Sequence, residues 1–298
     1  METQTSPYAK NQHQCFSAFI KVLIEKFKPE QIYSFGKNYV LTEKSGCFNA
    51  STVDQHYHHF LLMVTETVTR IEHEVQDFAN AHYRFGTITI LVHGKETIAG
   101  AVKANNRFFT TVYTKGQIIY SQDGMAQPEL INSFNPAQSA IKAQKHFDHR
   151  IPLAKAFLTC ANECLAEQQY GVAVFMLHQV VEQSSIALIR IYLAYRSDIH
   201  NLYRQLNLCN CFSSAPTELF LLGKAENKRL FDVLVKSYSG ARYNDDFKVS
   251  QADAEQLLVI ASTFVKLTET MCVKKIEMLG GEAVSYKQLL AESEVSHD

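Results

Sequence analysis

Apolar residues recur with helical spacing at Phe16, Phe19, Ile20, Leu23 and Phe27, which predicts an amphipathic helix over 11–27. "IYSFGKNYV" (32–40) then reads as a short strand broken at Gly36. The polar piece "TEKSGCFNASTVDQ" (42–55) reads as turns, and "HYHHFLLMV" (56–64) as a buried strand. Val68, Ile71, Val75 and Phe78 mark a second helix, and "TITILVH" (87–93) another strand. A helix over 97–114 carries Val102, Phe108, Phe109 and Val112, and "GQIIY" (116–120) closes the set. Strands alternating with helices predict a small α/β domain built on one sheet.

The pattern changes after "SQDGMAQPELINSFNP" (121–136), which has the glycine, prolines and polar residues of a linker. Helices are expected over 137–168, where Pro152 should start, kink or interrupt one, and over 170–195, which is apolar nearly all round. A third runs from a cap at Thr217 to Tyr238. A fourth starts at Ser250 with Asp253 as a capping box and presents the seam Leu257, Ala261, Phe264, Thr268 and Met271. Four such helices predict an up-and-down bundle. The chain is therefore read as an α+β protein of two domains: 1–125, a linker over 126–136, a bundle over 137–280, and a flexible tail over 281–298.

Composition narrows the picture. At 298 residues two cores are expected. With 29 basic against 30 acidic residues, no global positive field points to long duplex nucleic acid, although a local phosphate pocket needs only one or two cations. Uninterrupted apolar runs such as "FLLMV" (60–64) are far too short to span a bilayer, and no membrane partner is expected. "METQTSPYAKNQHQC" lacks the apolar core of a signal peptide. Seven cysteines form no paired C-x-x-C sets; Cys160 and Cys164 lie one turn apart, and Cys209 and Cys211 are assigned to a loop. Free thiols in a reducing cytoplasm are expected.

Three ordered motifs fall in the second half: His178-Gln179-x-x-Glu182 on the apolar helix, His200-Asn201-Leu202 in the turn that follows, and Tyr238-x-x-x-Arg242-Tyr243 further on. Their order resembles the HEPN family (higher eukaryotes and prokaryotes nucleotide-binding domain) across roughly 137–278. His178 and Glu182 share one helix face, so they are either a satisfied core pair or one side of a polar pocket. Arg242 has the planar fork that grips phosphate, and it could equally cap a helix as the chain passes through Gly240 into the acidic turn. Tyr238 and Tyr243 could flank a base.

Many HEPN proteins are metal-independent ribonucleases, and the resemblance asks for a histidine a few residues after the arginine. Here Arg242 is followed by Tyr243, Asn244, Asp245, Asp246, Phe247 and Lys248, with no histidine. Arg196 and His200 are spaced too closely and lie elsewhere in the motif order. The resemblance thus implies the nucleotide-binding rather than the cutting version. HEPN bundles commonly dimerise, so a homodimer is expected.

The first half is similar in outline to minimal nucleotidyltransferases, which often accompany HEPN domains. That resemblance calls for a Gly-Ser turn and two alternating carboxylates for Mg²⁺. The chain has Gly36 and Lys37 at the turn, His56 and His58 in place of the acidic pair, and Thr87 and Thr89 in the later strand; Asp54 lies too early. Imidazoles suit Mg²⁺ poorly, so nucleotidyl transfer is not expected. Gly36 and Lys37 remain candidate phosphate contacts. A zinc reading would use His56, His58, His59 and His93, but no acid or cysteine is placed to complete it.

The expected function is a non-catalytic HEPN protein that binds a nucleotide or another phosphorylated ligand, with no cofactor or metal, in a toxin–antitoxin or defence-type module. The ligand set is Arg242, Tyr243, His178, Glu182, His200 and Tyr238. The alternatives are a HEPN ribonuclease with an atypical site acting on RNA, and a pure protein-interaction module.

Overall fold

The computed structural model describes residues 7–47, 49–67, 70–124, 134–221 and 225–295. The chain divides into two compact units, Met1–Phe134 and Asn135–Asp298.

In the first unit, helix α1 (Pro7–Phe27) precedes a long antiparallel hairpin of β1 (Gln31–Gly46) and β2 (Asn49–Thr65). Helix α2 (Glu72–His82) then carries the chain to β3 (Gly86–Gly94), which pairs in parallel with β2, a geometry that demands such a crossover. Two short helices, α3 (Lys95–Lys103) and α4 (Arg107–Lys115), lead to β4 (Gln117–Ser121), antiparallel to β1. The sheet order is β3-β2-β1-β4.

Both faces of this sheet are covered, which explains why residues 60–64 are apolar without alternation. Leu61 and Met63 pack with Phe19, Leu23, Val75 and Phe78 of α1 and α2. On the other side Phe35 packs with Phe60 and Phe108. Gln76 ties α2 to the edge strand: its Nε2 donates to the Ile88 carbonyl at 2.7 Å, and its Oε1 accepts from the Ile90 amide at 3.1 Å.

Three expectations change here. Residues 42–55 are not turns but the outer part of the hairpin, with Thr42 opposite Asp54 and Lys44 opposite Thr52. A two-stranded ladder satisfies its backbone without an apolar face, so its polar sequence resembles a loop. The helix expected over 97–114 is two helices. Asn105 adopts φ 54, and the Asn106 side chain then caps α4 by accepting from the Phe108 and Phe109 amides. The second helix begins at Glu72; Val68 lies outside the described residues.

The second unit opens with a short 3-10 turn at Pro136–Gln138 and holds four long helices: α5 (Ser139–Ala166), α6 (Tyr170–Leu193), α9 (Ala225–Tyr243) and α10 (Gln251–Val295). Two short ones, α7 (Leu202–Cys209) and α8 (Ala215–Leu221), lie between. Helix α6 packs against α5, α9 and α10 and is the centre of the core. Phe220, Phe231 and Phe264 join α8, α9 and α10 through ring contacts. Ser250 Oγ accepts from the Asp253 amide, as the capping pattern implies.

Here too the sequence differs from the outcome in places. Helix α5 runs through Pro152 without ending. Thr217 lies inside α8 rather than capping a longer helix, and the third long helix starts at Ala225 and continues to Tyr243; residues 222–224 lie outside the described set. Cys209 ends a helix rather than sitting in a loop. The expected tail from 281 continues α10 to Val295, and most of the expected linker, 125–133, lies outside the described residues. Among the described residues two helices, Tyr170–Leu193 and Gln251–Leu289, are also long and apolar enough to cross a membrane by length and composition, although their uninterrupted apolar runs are short. For α6, burial at the centre of the bundle accounts for that composition.

The Gln76 bridge is a sharp test of the first unit. Gln76→Leu keeps volume but leaves the Ile88 carbonyl and Ile90 amide without their partner, and should cost about 1–3 kcal/mol in urea denaturation.

Candidate functional site

The candidate site is built on α6. His178 and Glu182 are one turn apart and both buried, at 2% and 3% exposure. Buried polar groups need partners, and here different elements supply them. The His178 ring packs on the Tyr238 ring of α9 at 5.0 Å between centroids, and Gln179 Nε2 donates to its Nδ1 at 3.2 Å. His200, in the turn before α7, donates from Nδ1 to Glu182 Oε1 at 2.7 Å. The His200 side chain is 67% exposed, so the pair runs from the core to solvent.

Tyr238 carries the arrangement outward. Its other neighbour is Arg242, whose guanidinium lies 4.2 Å from the Tyr238 ring centre, 4.9 Å from Tyr243 and 5.5 Å from Phe175. Three rings around one guanidinium make a cation–π cage. Arg242 Nε donates to the Tyr238 carbonyl at 2.6 Å, so the residue does serve the end of its helix, where a cation is also favoured by the dipole. The terminal nitrogens of Arg242 form no hydrogen bond among the described residues. Arg242 therefore closes the helix through Nε, while its fork lies at the exposed surface among the three rings.

The segment after Arg242 is shaped by Gly240. Gly240 and Arg242 lie inside α9, not beyond it, because the helix continues to Tyr243. A Cβ at Gly240 would lie 2.5 Å from the Phe247 ring, so only glycine admits that ring against the helix. Phe247 also reaches Gly171 at the start of α6. Between them, the Asn244 side chain accepts from the Asp246 amide, and the Phe247 amide donates to the Asn244 carbonyl. The acidic turn is thus folded back over the bundle.

Burial, then the charges of Arg242 and His200, lower the His178 pKa from 6.5 to about 4. His178 is neutral at pH 7. The structure places His178, Tyr238, Arg242 and Tyr243 in one stack, with the Glu182–His200 pair one turn along α6. Phe175 belongs to the same face and was missed; its spacing three before His178 and seven before Glu182 is the signal that could have found it.

In the first unit, Gly36 lies within β1 at a register shift opposite Phe60, not in a strand-to-helix turn. The Lys37 amine sits over the Tyr57 ring at 4.7 Å. His56 and His58 contact the hydroxyls of Thr87 and Thr89 at 2.9 and 2.7 Å, whereas His59 faces the other side of the sheet, stacked on Phe16. Burial lowers the pKa of His58 to about 3 and of His59 to about 4. His93 packs edge-on to Phe109. Among the described residues, no three His, Cys, Asp or Glu converge as metal ligands.

The lowered His178 pKa fixes a sign. Between pH 6.5 and about 4 the unfolded chain binds a proton at this residue that the folded chain refuses, so stability falls as pH drops through that window and is unaffected above it. His178→Gln should remove about 1–2 kcal/mol of the stability difference between neutral pH and pH near 5, read from urea midpoints of the second unit.

Comparison with known proteins places this geometry. Residues 149–271 match the HEPN domain family. No curated protein matches the chain. Among solved structures, a nucleotidyltransferase-like protein from Exiguobacterium sibiricum is similar at 11% identity, covering 88% of this chain and 78% of the other with a TM-score of 0.25. The stack of His178, Tyr238 and Arg242 and the Glu182–His200 pair all lie within residues 149–271, and those residues form a HEPN domain.

Proposed function

We propose that the HEPN domain binds a phosphorylated small molecule, a nucleotide in the first place, without catalysing its conversion. The observation that carries this reading is the state of Arg242. Its Nε is committed to the helix end, its fork is open, and Tyr238, Tyr243 and Phe175 surround it with ring faces. A guanidinium beside exposed aromatic faces suits a ligand that carries both phosphate and a flat base. Tyr243, 78% exposed, is the face most open to such a base. The Glu182–His200 pair, which runs from the core to solvent, and neutral His178 hold the platform beneath.

The non-catalytic part rests on what surrounds the site. The segment Tyr243 to Lys248 after Arg242 offers no imidazole, and its Asp245 and Asp246 repel a nucleic-acid backbone. In the first unit, His56–Thr87 and His58–Thr89 contacts stand where the nucleotidyltransferase resemblance calls for carboxylates. A sensing role in a toxin–antitoxin or defence-type module fits a binding domain paired with a degenerate partner. The same reading puts the protein in the cytoplasm as a homodimer; none of the seven cysteines forms a disulfide, as a reducing compartment allows.

Calorimetric titration with ATP, GTP and their diphosphates tests the proposal. A charge-assisted contact contributes roughly 1.5–3 kcal/mol, so Arg242→Ala should weaken binding about 10- to 100-fold. Equal binding by the variant would move the site away from Arg242. The absence of binding by wild-type protein would overturn the nucleotide reading. Sedimentation equilibrium of the wild-type chain checks the dimer.

A further inference from the structure

The hairpin of the first unit is longer than the sheet it belongs to. Strand β4 pairs with β1 only from Gln31 to Ser34, and β3 follows β2 only from Tyr57 to Thr65. Beyond these limits β1 and β2 pair only with each other among the described strands. The outer edge of β1 past Ser34 thus has no described strand beside it, and Tyr39 and Val40 there are 67% and 61% exposed. Natural proteins blunt an open edge with lysines, proline or bulges, or they pair it. From Gly36 to Lys44 the chain has no proline, and its three charges, Lys37, Glu43 and Lys44, are mixed in sign. The register with β2 is unbroken over this stretch; its shifts fall at the two ends, between Ser34 and Gly36 and between Lys44 and Gly46.

That regular stretch is complementary to itself. Its midpoint is Val40, and when two identical strands pair antiparallel about this point, residues equally distant from Val40 face each other. Lys37 is then placed opposite Glu43 of the other copy, Asn38 opposite Thr42, Tyr39 opposite Leu41, and Val40 opposite itself. Opposite charges, an amide with a hydroxyl, and a ring with an aliphatic chain are each favourable cross-strand pairs. The two-fold axis supplies every pair twice, apart from the one on the axis. Moving the axis to Tyr39 or Leu41 places Lys37 opposite Leu41 or Ser45, and no opposite charges meet. The outer edge of β2 over 49–56 carries Asp54 but no lysine or arginine, so it has no such match to itself.

We infer that a second copy of this chain occupies the open edge: β1 pairs antiparallel with β1 of the other copy over 36–44, about a two-fold axis at Val40. The pairing joins the two hairpins into one continuous ladder. The inference names a surface for the dimer and does not rest on the nucleotide reading, which a dimer closed through either unit would satisfy.

Sedimentation equilibrium of the full chain tests this with two charge reversals, Lys37→Glu and Glu43→Lys. Wild-type protein should be a dimer. Each reversal alone sets like charges opposite each other twice, and should raise the dimer dissociation constant at least about tenfold. In an equimolar mixture of the two variants both contacts again join opposite charges, so a mixed dimer should form with close to wild-type affinity. That recovery also shows that both variants fold. Failure of the mixture to recover would overturn the pairing about Val40. A dimer that neither reversal weakens would overturn the arm alone and put the contact on another surface. A monomeric wild-type chain would overturn the arm and the homodimer together. The readout is mass, so nucleotide binding is judged separately, by Arg242→Ala.

Discussion

Helix α6 is enclosed on all sides, and the rest of the HEPN domain answers to that enclosure. A helix in this position can be apolar throughout, yet this one carries His178, Glu182 and Gln183 at buried positions. Each must find its partner inside the protein, and each finds it in a different direction. His178 meets Tyr238 of α9, Glu182 meets His200 in the turn before α7, and Gln183 meets Arg150 of α5. The burial that would otherwise penalise these groups thus fixes the orientation of three neighbouring elements. Tyr238 in turn holds Arg242, through its ring and its carbonyl.

The N-terminal unit solves a similar problem with a sheet. The middle of β2 is covered on both faces, and the histidines just before it sit where cover begins. His58 and His59 point to opposite sides, one to a threonine of β3 and the other to Phe16 of α1. Both are held neutral by burial. Gln76 performs for the edge strand what a further strand would have done, supplying an acceptor and a donor to its backbone.

Much of this was legible in the chain. Helical periodicity located α1, α5, α6 and the start of α10, and the ordered HEPN motifs located His178, Glu182, His200 and Arg242. What escaped was set by contacts rather than by pattern. The hairpin arm is polar because a two-stranded ladder needs no apolar face. The break before α4 depends on one residue, Asn105, in a left-handed conformation. Helix α9 continues through Gly240 because Phe247, seven residues later, packs on it. Glycine in that segment reads as a stop signal when the ring that fills its place is not in view. The pairing of Arg150 with Gln183 was equally hidden, since 33 residues separate them and neither belongs to a motif.

Phe247 has a consequence for how tightly anything can be held at the end of α9. The last turn of a helix is the part that opens most readily, and Arg242 lies one residue from the end. The ring on Gly240 clamps that turn, and without it the carbonyl that receives Arg242 Nε would be free to turn away. Any ligand that needs the clamped form then sees its apparent affinity scaled by the fraction of molecules in which the ring is seated. Phe247, through its seat on Gly240, would in this way set the fraction of molecules whose last α9 turn is closed.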